Sequence, residues 1–382
     1  MDKLKKIYSG EEVDPISIEI RPTDLCNLNC KFCYNNSLRI SSDFSSIKKD
    51  YWISLMQSIE KNDSLKNIIL NGGGEPLMYP RILLDSLFKV VKERNILITI
   101  VTNGTLLGKW IIDALEDNHC LLNISIKSID RNGFYFITGK DLYERQMNNL
   151  NSLLFMRRHA KNRLIIARYV FAEPINSEFN VELFAYFLMK LFDNGLDAFL
   201  ITFSNPLISK KSKSYNVIYK KINKNRNLAA LLNQGYIRFS NLRYLSGDYP
   251  DVCSSYSDRN TINDINYLCY LEKIFLIVNQ YGQSNCLHNL YNKKNIFNND
   301  FKRLNSCHSC AYYNYNNNIT MALEYFIANG IKKPLPNDFI NHVLQIYNGL
   351  ISNDEFTDMK KFVKYITSSQ NPVIQGLPFV LH

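Results

Sequence analysis

No run of apolar residues in this chain reaches the roughly 18 that a membrane-spanning helix needs, so no membrane segment is expected. The start, Met1-Asp2-Lys3-Leu4-Lys5-Lys6, also lacks the apolar stretch of a secretory signal. Together these absences predict a cytoplasmic protein without a membrane partner. In that reducing setting, clustered cysteines among the nine present are expected to bind metal rather than form disulfides. Tryptophan is scarce, with two residues in 382, so the aromatic content of 13% rests on Tyr and Phe. No internal repeat is found. Acidic residues are missing from 209–226, which holds Lys210, Lys211, Lys213, Lys220, Lys221, Lys224 and Arg226. The formal net charge of +10 can attract nucleic acid, anionic lipid or an acidic peptide. The basic stretch itself reads as a solvated face, and no nucleic-acid partner is expected. With 46% hydrophobic residues, the chain supports a sizeable core and is not globally disordered.

Strand-like runs at 17–21, 67–70, 97–102, 121–126, 164–171 and 198–203 alternate with helix-like segments such as 51–60, 82–93 and 179–192. Repeated strand–helix–strand alternation predicts a parallel sheet with crossover helices. Six such units suit a partial (β/α)6 TIM-type barrel, an α/β fold with its chemistry at the C-terminal strand ends. The alternation is expected to stop near Ser204. The segments 339–347 and 354–366 read as amphipathic helices. The expected division is a barrel over 1–208, a basic linker or helical region over 209–252, a cysteine-bearing domain over 253–320 and a helical region over 321–382.

Cys26, Cys30 and Cys33 directly follow the first strand in a C-x3-C-x2-C run. Three thiolates on one loop can hold three irons of a four-iron cubane and leave the fourth open for chemistry. Zinc would want a fourth ligand, and no other Cys or His lies close to Cys33 in sequence. The second strand ends in Asn71-Gly72-Gly73-Gly74-Glu75-Pro76. Glycines at a strand end let a ligand approach the backbone.

With both motifs in place, the sequence resembles the radical S-adenosylmethionine (radical SAM) superfamily over roughly residues 15–205. Its C-x3-C-x2-C matches Cys26, Cys30 and Cys33, with Phe32 before the third cysteine. Its Gly-Gly-Glu-Pro matches Gly73-Gly74-Glu75-Pro76, preceded here by Gly72. Thr102-Asn103-Gly104-Thr105-Leu106-Leu107 resembles the end of the family's third strand, and Ser128-Ile129-Asp130 its element after the fourth. The resemblance implies a [4Fe-4S] cluster whose open iron chelates S-adenosylmethionine (SAM). It further implies reductive cleavage to a 5′-deoxyadenosyl radical that abstracts hydrogen from a substrate. The Gly73-Gly74-Glu75 backbone is implied to hold the methionine amino group, and Phe32 to lie beside the adenine. Ser128 is a further candidate for a cofactor contact, and Arg168 for pairing with the methionine carboxylate.

Cys269, Cys286, Cys307 and Cys310 form a second set. Cys269 precedes the β-rich run 273–278, a turn follows at Asn279-Gln280-Tyr281-Gly282, and Cys286 lies on the returning strand. Zinc and a closed iron–sulfur cluster both fit this pattern. The set resembles the Twitch form of the SPASM extension, which implies one auxiliary [4Fe-4S] cluster on a β-hairpin domain, with terminal helices beyond. Cys120 is expected to be a core thiol. Cys253, between the barrel and the second set, is a candidate hydrogen-atom donor, as in radical epimerases.

The resemblance implies first an enzyme that matures ribosomally made peptides, by cross-linking or cyclophane formation or by epimerisation. A basic surface would suit an acidic leader peptide. Only some 16 residues precede the first strand, so no separate leader-binding domain is expected before the barrel. An aminosugar dehydrogenase or epimerase is the small-molecule alternative. A non-catalytic metal-cluster protein is the third reading, and an intact Gly-Gly-Glu-Pro argues against it. A reductant such as flavodoxin or ferredoxin is the implied partner besides the substrate.

Overall fold

The computed structural model describes residues 14–15, 17–33, 46–65, 67–114, 120–157, 163–171, 179–203, 213–234, 236–239, 275–280 and 282–284. The strands are β1 (Ser17–Arg21), β2 (Asn67–Leu70), β3 (Leu97–Thr102), β4 (Cys120–Ile126), β5 (Arg163–Phe171), β6 (Ala198–Phe203), β7 (Ile237–Phe239), β8 (Phe275–Asn279) and β9 (Gly282–Ser284). The helices are α1 (Lys49–Lys61), α2 (Arg81–Glu93), α3 (Lys109–Ala114), α4 (Arg131–Thr138), α5 (Tyr143–Arg157), α6 (Val181–Asp193), α7 (Lys213–Lys224) and α8 (Arg226–Asn233). All nine strands join one sheet in the order β7-β6-β5-β4-β3-β2-β1-β8-β9. Every neighbouring pair is parallel except β8–β9.

Side-chain alternation divides this sheet into two faces. Ile18 and Ile20 of β1 enter the main core, as do Cys120, Leu122, Ile124 and Ile126 of β4 and Ile165 and Ala167 of β5. Helices seal that face. α1 buries Trp52, Leu55, Met56 and Ile59 at helical spacing, and α2 buries Leu84, Leu87, Phe88 and Val91. Full burial of each such side chain stabilises by about 1.5–3 kcal/mol. The opposite face carries Glu19 and Arg21 from β1, Asn71 just past β2, Asn123 and Ser125 from β4, and Arg168 from β5. This polar face is the interior of an open α/β barrel.

The six expected strands are all present, and Cys120 is the buried first residue of β4. Two parallel strands extend the sheet beyond them. The alternation does not stop near Ser204: α7, α8 and β7 add another unit beside β6. Three residues are too few for β7 to show a strand period. Residues 213–224 of the basic stretch form α7, whose Ile218 and Ile222 are buried while Lys220 and Lys224 face solvent. The hairpin β8–β9 also joins the barrel sheet, because β8 pairs with β1 in the register Ser17–Phe275 through Arg21–Asn279. Its tip therefore lies at the C-terminal end of β1, where the Gln280 amide donates to the Asp24 carboxylate. The expected helices at 339–347 and 354–366 lie outside the described residues. Among the described residues, no helix is long and apolar enough to cross a membrane.

Candidate functional site

The C-terminal ends of β1 to β4 bring the two sequence motifs together. Asn71 N–H donates to the Ile20 carbonyl (3.0 Å), continuing the β1–β2 ladder past the strand ends. Gly74 N–H then donates to Thr23 O (3.1 Å), and Glu75 N–H to Leu25 O (2.7 Å). The glycine turn is thus stitched to the residues just ahead of Cys26. Gly74 has no room for a side chain: a Cβ there would lie 1.9 Å from Leu25 O and 2.5 Å from the Asp24 carbonyl carbon. At Gly72, a Cβ would strike the Gly74 carbonyl oxygen at 2.6 Å. Glycine here serves close backbone approach.

Glu75 ties this turn to β3. Its buried carboxylate accepts from Thr102 Oγ1 (2.6 Å), Asn103 N–H (2.7 Å) and Leu77 N–H (3.2 Å). Burial pushes the carboxyl above its ordinary range, opposed by these three bonds and by the charge of Lys127. A Glu75→Gln amide cannot accept from all three donors. It should cost about 1–3 kcal/mol, seen as a lower urea midpoint at constant m. An unchanged midpoint would remove Glu75 as the tie.

Asn103 carries the connection on to the cysteine loop. Its side chain donates to Asn27 Oδ1 (2.9 Å) and makes a long contact with Cys26 Sγ (3.9 Å). Asn27 Nδ2 donates to Thr105 Oγ1 (2.7 Å). Gln146 of α5, fully buried, donates to the carbonyls of Asn103 and Ser125. Neither Asn27 nor Gln146 was singled out in the sequence. Gln146 had a signal: it sits at helical spacing with Leu150, Leu153 and Leu154, a polar residue on an apolar stripe.

The loop seats its thiols at different depths. Cys30 is buried with Leu28 and Phe134, while Cys26, Phe32 and Cys33 are partly exposed around them. None of the three is in a disulfide. Among the described residues, no three His, Cys, Asp or Glu side chains converge on one ion position. A cubane needs no such convergence, because each thiolate takes a different iron. The Lys127 ammonium lies 5.5 Å from the Phe32 ring centre.

Ser128 and Arg168 differ in what surrounds them. Ser128 is buried and its hydroxyl is engaged with Asp130, which caps α4 by accepting from Gly133 N–H (2.8 Å). Arg168 stands beside Ser125 in the β4–β5 register. The residue keeps some solvent contact, yet Nε and Nη2 are sealed off and have no hydrogen-bond partner among the described residues. Desolvation lowers its pKa to about 10. A buried guanidinium with unmet donors is suited to a carboxylate. Cys253, Cys269, Cys286, Cys307 and Cys310 lie outside the described residues.

Residues 20–154 match the family model described as the Radical SAM superfamily. An uncharacterized protein of Methanocaldococcus jannaschii is 30% identical over 205 residues, covering 46% of this chain and 45% of that protein. A probable GTP 3′,8-cyclase of Methanothermobacter marburgensis is 29% identical over 144 residues, or 37% and 44% of the two chains. The radical SAM cyclopropyl synthase TigE of Paramaledivibacter caminithermalis is 25% identical over 166 residues, or 40% and 35%. The chain thus spans less than half the length of each of these curated relatives. Among solved structures, Streptococcus suis SuiB bound to S-adenosylmethionine aligns with a TM-score of 0.51 at 17% identity, over 84% of this chain and 77% of that one. That likeness concerns the fold.

Proposed function

We propose, from the premise that residues 20–154 are a radical SAM domain, that this chain is a radical SAM enzyme acting on a precursor peptide. The observation that carries the enzymatic reading is the backbone stitch between the glycine turn and the cysteine loop. It packs a glycine turn with no room for a Cβ against Asp24 and Leu25, the residues just ahead of Cys26, which supports the reading of the turn as a cofactor cradle. When bound, the [4Fe-4S] cluster and SAM together supply a 5′-deoxyadenosyl radical that abstracts hydrogen from the substrate.

Each residue has a part in that proposal. Cys26, Cys30 and Cys33 hold three irons. The Gly72, Gly73, Gly74 and Glu75 backbone receives the methionine amino group, while the Glu75 carboxylate keeps the turn in place. Arg168 pairs with the methionine carboxylate, which supplies an acceptor that its buried donors lack among the described residues. Phe32 lines the adenine side. The Ser128 hydroxyl already serves the helix cap, so we assign it to positioning α4 rather than to the cofactor. Cys269, Cys286, Cys307 and Cys310 remain the proposed ligands of an auxiliary cluster, and Cys253 the proposed hydrogen-atom donor.

A peptide substrate is supported by the net positive charge, which suits an acidic leader, and by the resemblance of the second cysteine set to the Twitch form. A small-molecule substrate is the second reading, favoured by the relatives named as GTP 3′,8-cyclases. Anaerobic reconstitution with iron and sulfide, followed by dithionite and SAM, tests the enzymatic reading. The expected result is 5′-deoxyadenosine by mass spectrometry, with about eight irons per chain if both cysteine sets carry cubanes. Absence of 5′-deoxyadenosine, in a preparation where a known radical SAM enzyme works, would overturn it.

A further inference from the structure

Asn103 belongs to a closed ring of side-chain hydrogen bonds beside the first thiol. Its Nδ2 donates to Asn27 Oδ1 (2.9 Å), Asn27 Nδ2 donates to Thr105 Oγ1 (2.7 Å), and the Thr105 hydroxyl donates back to Asn103 Oδ1 (2.6 Å). Each member donates once and accepts once within the ring, so the bonds polarise one another in the same sense. The ring also fixes the Asn103 amide. Thr105 N–H donates to the same Oδ1 (2.9 Å), so a flipped amide would set its NH2 against an N–H and its oxygen against the Asn27 oxygen. An amide nitrogen carries two hydrogens, and the ring uses one. The other is left for Cys26 Sγ, 3.9 Å away, which also accepts from Leu28 N–H (3.5 Å). The backbone under the ring is held as well. Glu75 accepts from Asn103 N–H, and Gln146 donates to its carbonyl. Asn149, on the same face of α5 as Gln146, donates to the carbonyls of Gly104 (3.0 Å) and Thr105 (3.1 Å). Asn103 and Thr105 are both buried.

We infer that Asn103 sets the reduction potential of the cluster held by Cys26, and that Asn27 and Thr105 are the positioning residues that aim its amide; the inference rests on the radical SAM reading above. Hydrogen bonds to the sulfur ligands are among the determinants of an iron–sulfur potential. Groups bonded to the ligands orient them and tune the metal. Reduction adds one electron, taken from dithionite in the test below, and with it one negative charge to the cluster and its thiolates. An amide hydrogen aimed at Cys26 Sγ stabilises that added charge and so raises the potential. At 3.9 Å the amide acts as an aimed dipole in a site of low dielectric rather than as a close bond. No covalent bond forms or breaks on this chain, and the hydrogen stays on Nδ2.

The test measures the potential of the reconstituted full chain by anaerobic poising with dithionite. It is read through the EPR signal that SAM perturbs, so that an auxiliary cluster is not counted. Asn103→Leu removes the amide, and its reduction equilibrium constant should lie about tenfold below the wild type, or ~59 mV for one electron. Thr105→Val keeps Asn103 but opens the ring, and should lower the potential by less. Thr105→Ser keeps the hydroxyl and should hold the wild-type value. A wild-type potential in Asn103→Leu would overturn the inference. Equal potentials in Thr105→Ser and Thr105→Val would do the same, since the hydroxyl would then have no part. Should Asn103→Leu assemble no cluster, Thr105→Val decides, and a wild-type potential there overturns the inference. The iron-free protein supplies a separate check. In urea, the losses from Asn103→Leu and Thr105→Val should not add in the double variant, because each opens the same ring. Additive losses would remove the ring. A wild type that assembles no cluster on the three thiols overturns the radical SAM reading instead, while the urea cycle still judges the ring.

Discussion

A Gly74→Ala variant should bind SAM at least about 100-fold more weakly than the wild type while keeping its barrel folded. The added Cβ would lie 1.9 Å from Leu25 O and 2.4 Å from the Leu25 carbonyl carbon. These are backbone atoms, so no rotamer change relieves the clash. The cysteine loop resists yielding as well. Thr23 is tied to Ser46 through their hydroxyls (2.7 Å), and Asn27 is held by Asn103 and Thr105. The glycine turn must therefore pull away by more than an ångström, breaking the Gly74–Thr23 and Glu75–Leu25 bonds. Overpacking of this kind costs about 1–3 kcal/mol of stability. The larger loss falls on the methionine cradle, where an ångström of misplacement is decisive. Gly108→Ala is the control, because its Cβ would meet Trp110 Cδ1 at 3.4 Å and Nε1 at 3.7 Å, side-chain atoms of one ring rather than backbone. Equilibrium dialysis with labelled SAM on reconstituted protein gives the comparison, and equal affinity in wild type and Gly74→Ala would remove the cradle from the proposal.

Arg168→Met should move stability and affinity in opposite directions. Without its ligand, the protein keeps Nε and Nη2 buried with no partner among the described residues, a cost methionine does not bear. The variant should be more stable in its ligand-free form by about 1–3 kcal/mol. Its affinity for SAM should fall by about 2 kcal/mol or more, since a buried carboxylate loses its cation. The pH dependence follows from the lowered pKa. Folding disfavours the charged guanidinium, so the penalty is fully present below about 10 and is relieved as pH rises from there towards the ordinary 12.5. Between pH 6 and pH 9 the stability gain of the variant should therefore be constant. Urea titrations at both values check this, and a ligand-free variant less stable than the wild type would show that the guanidinium already has a partner.

Much of this arrangement was legible from residues alone, for identifiable reasons. The six barrel strands announce themselves because each is an apolar run between helices of recognisable period. The cysteine and glycine motifs were readable because their chemistry demands fixed local spacing. The stitch between them was not, since a backbone bond from Glu75 to Leu25 leaves no mark on residue type. Asn103 stood within a quoted motif, but its double contact with Asn27 and Cys26 needed the third strand end folded over the first. The hairpin shows the limit most clearly. Its two strands and turn were apparent locally, whereas the parallel pairing of β8 with β1 joins residues some 250 positions apart. Parallel pairing at that separation has no local pattern to betray it.

That pairing decides where the chain can be cut. A fragment ending at residue 208, or after β7, would look like a whole barrel in sequence. It would leave β1 as an edge strand, with the backbone groups now paired along 275–279 open to another chain. β1 carries Ile18 and Ile20 and no proline or bulge to discourage such pairing, so the fragment should aggregate. It would also release Asp24, two residues before the first thiol, from Gln280. Expression of the barrel on its own therefore needs the hairpin retained, by continuing the chain through residue 284 or by grafting β8 as a supplied strand.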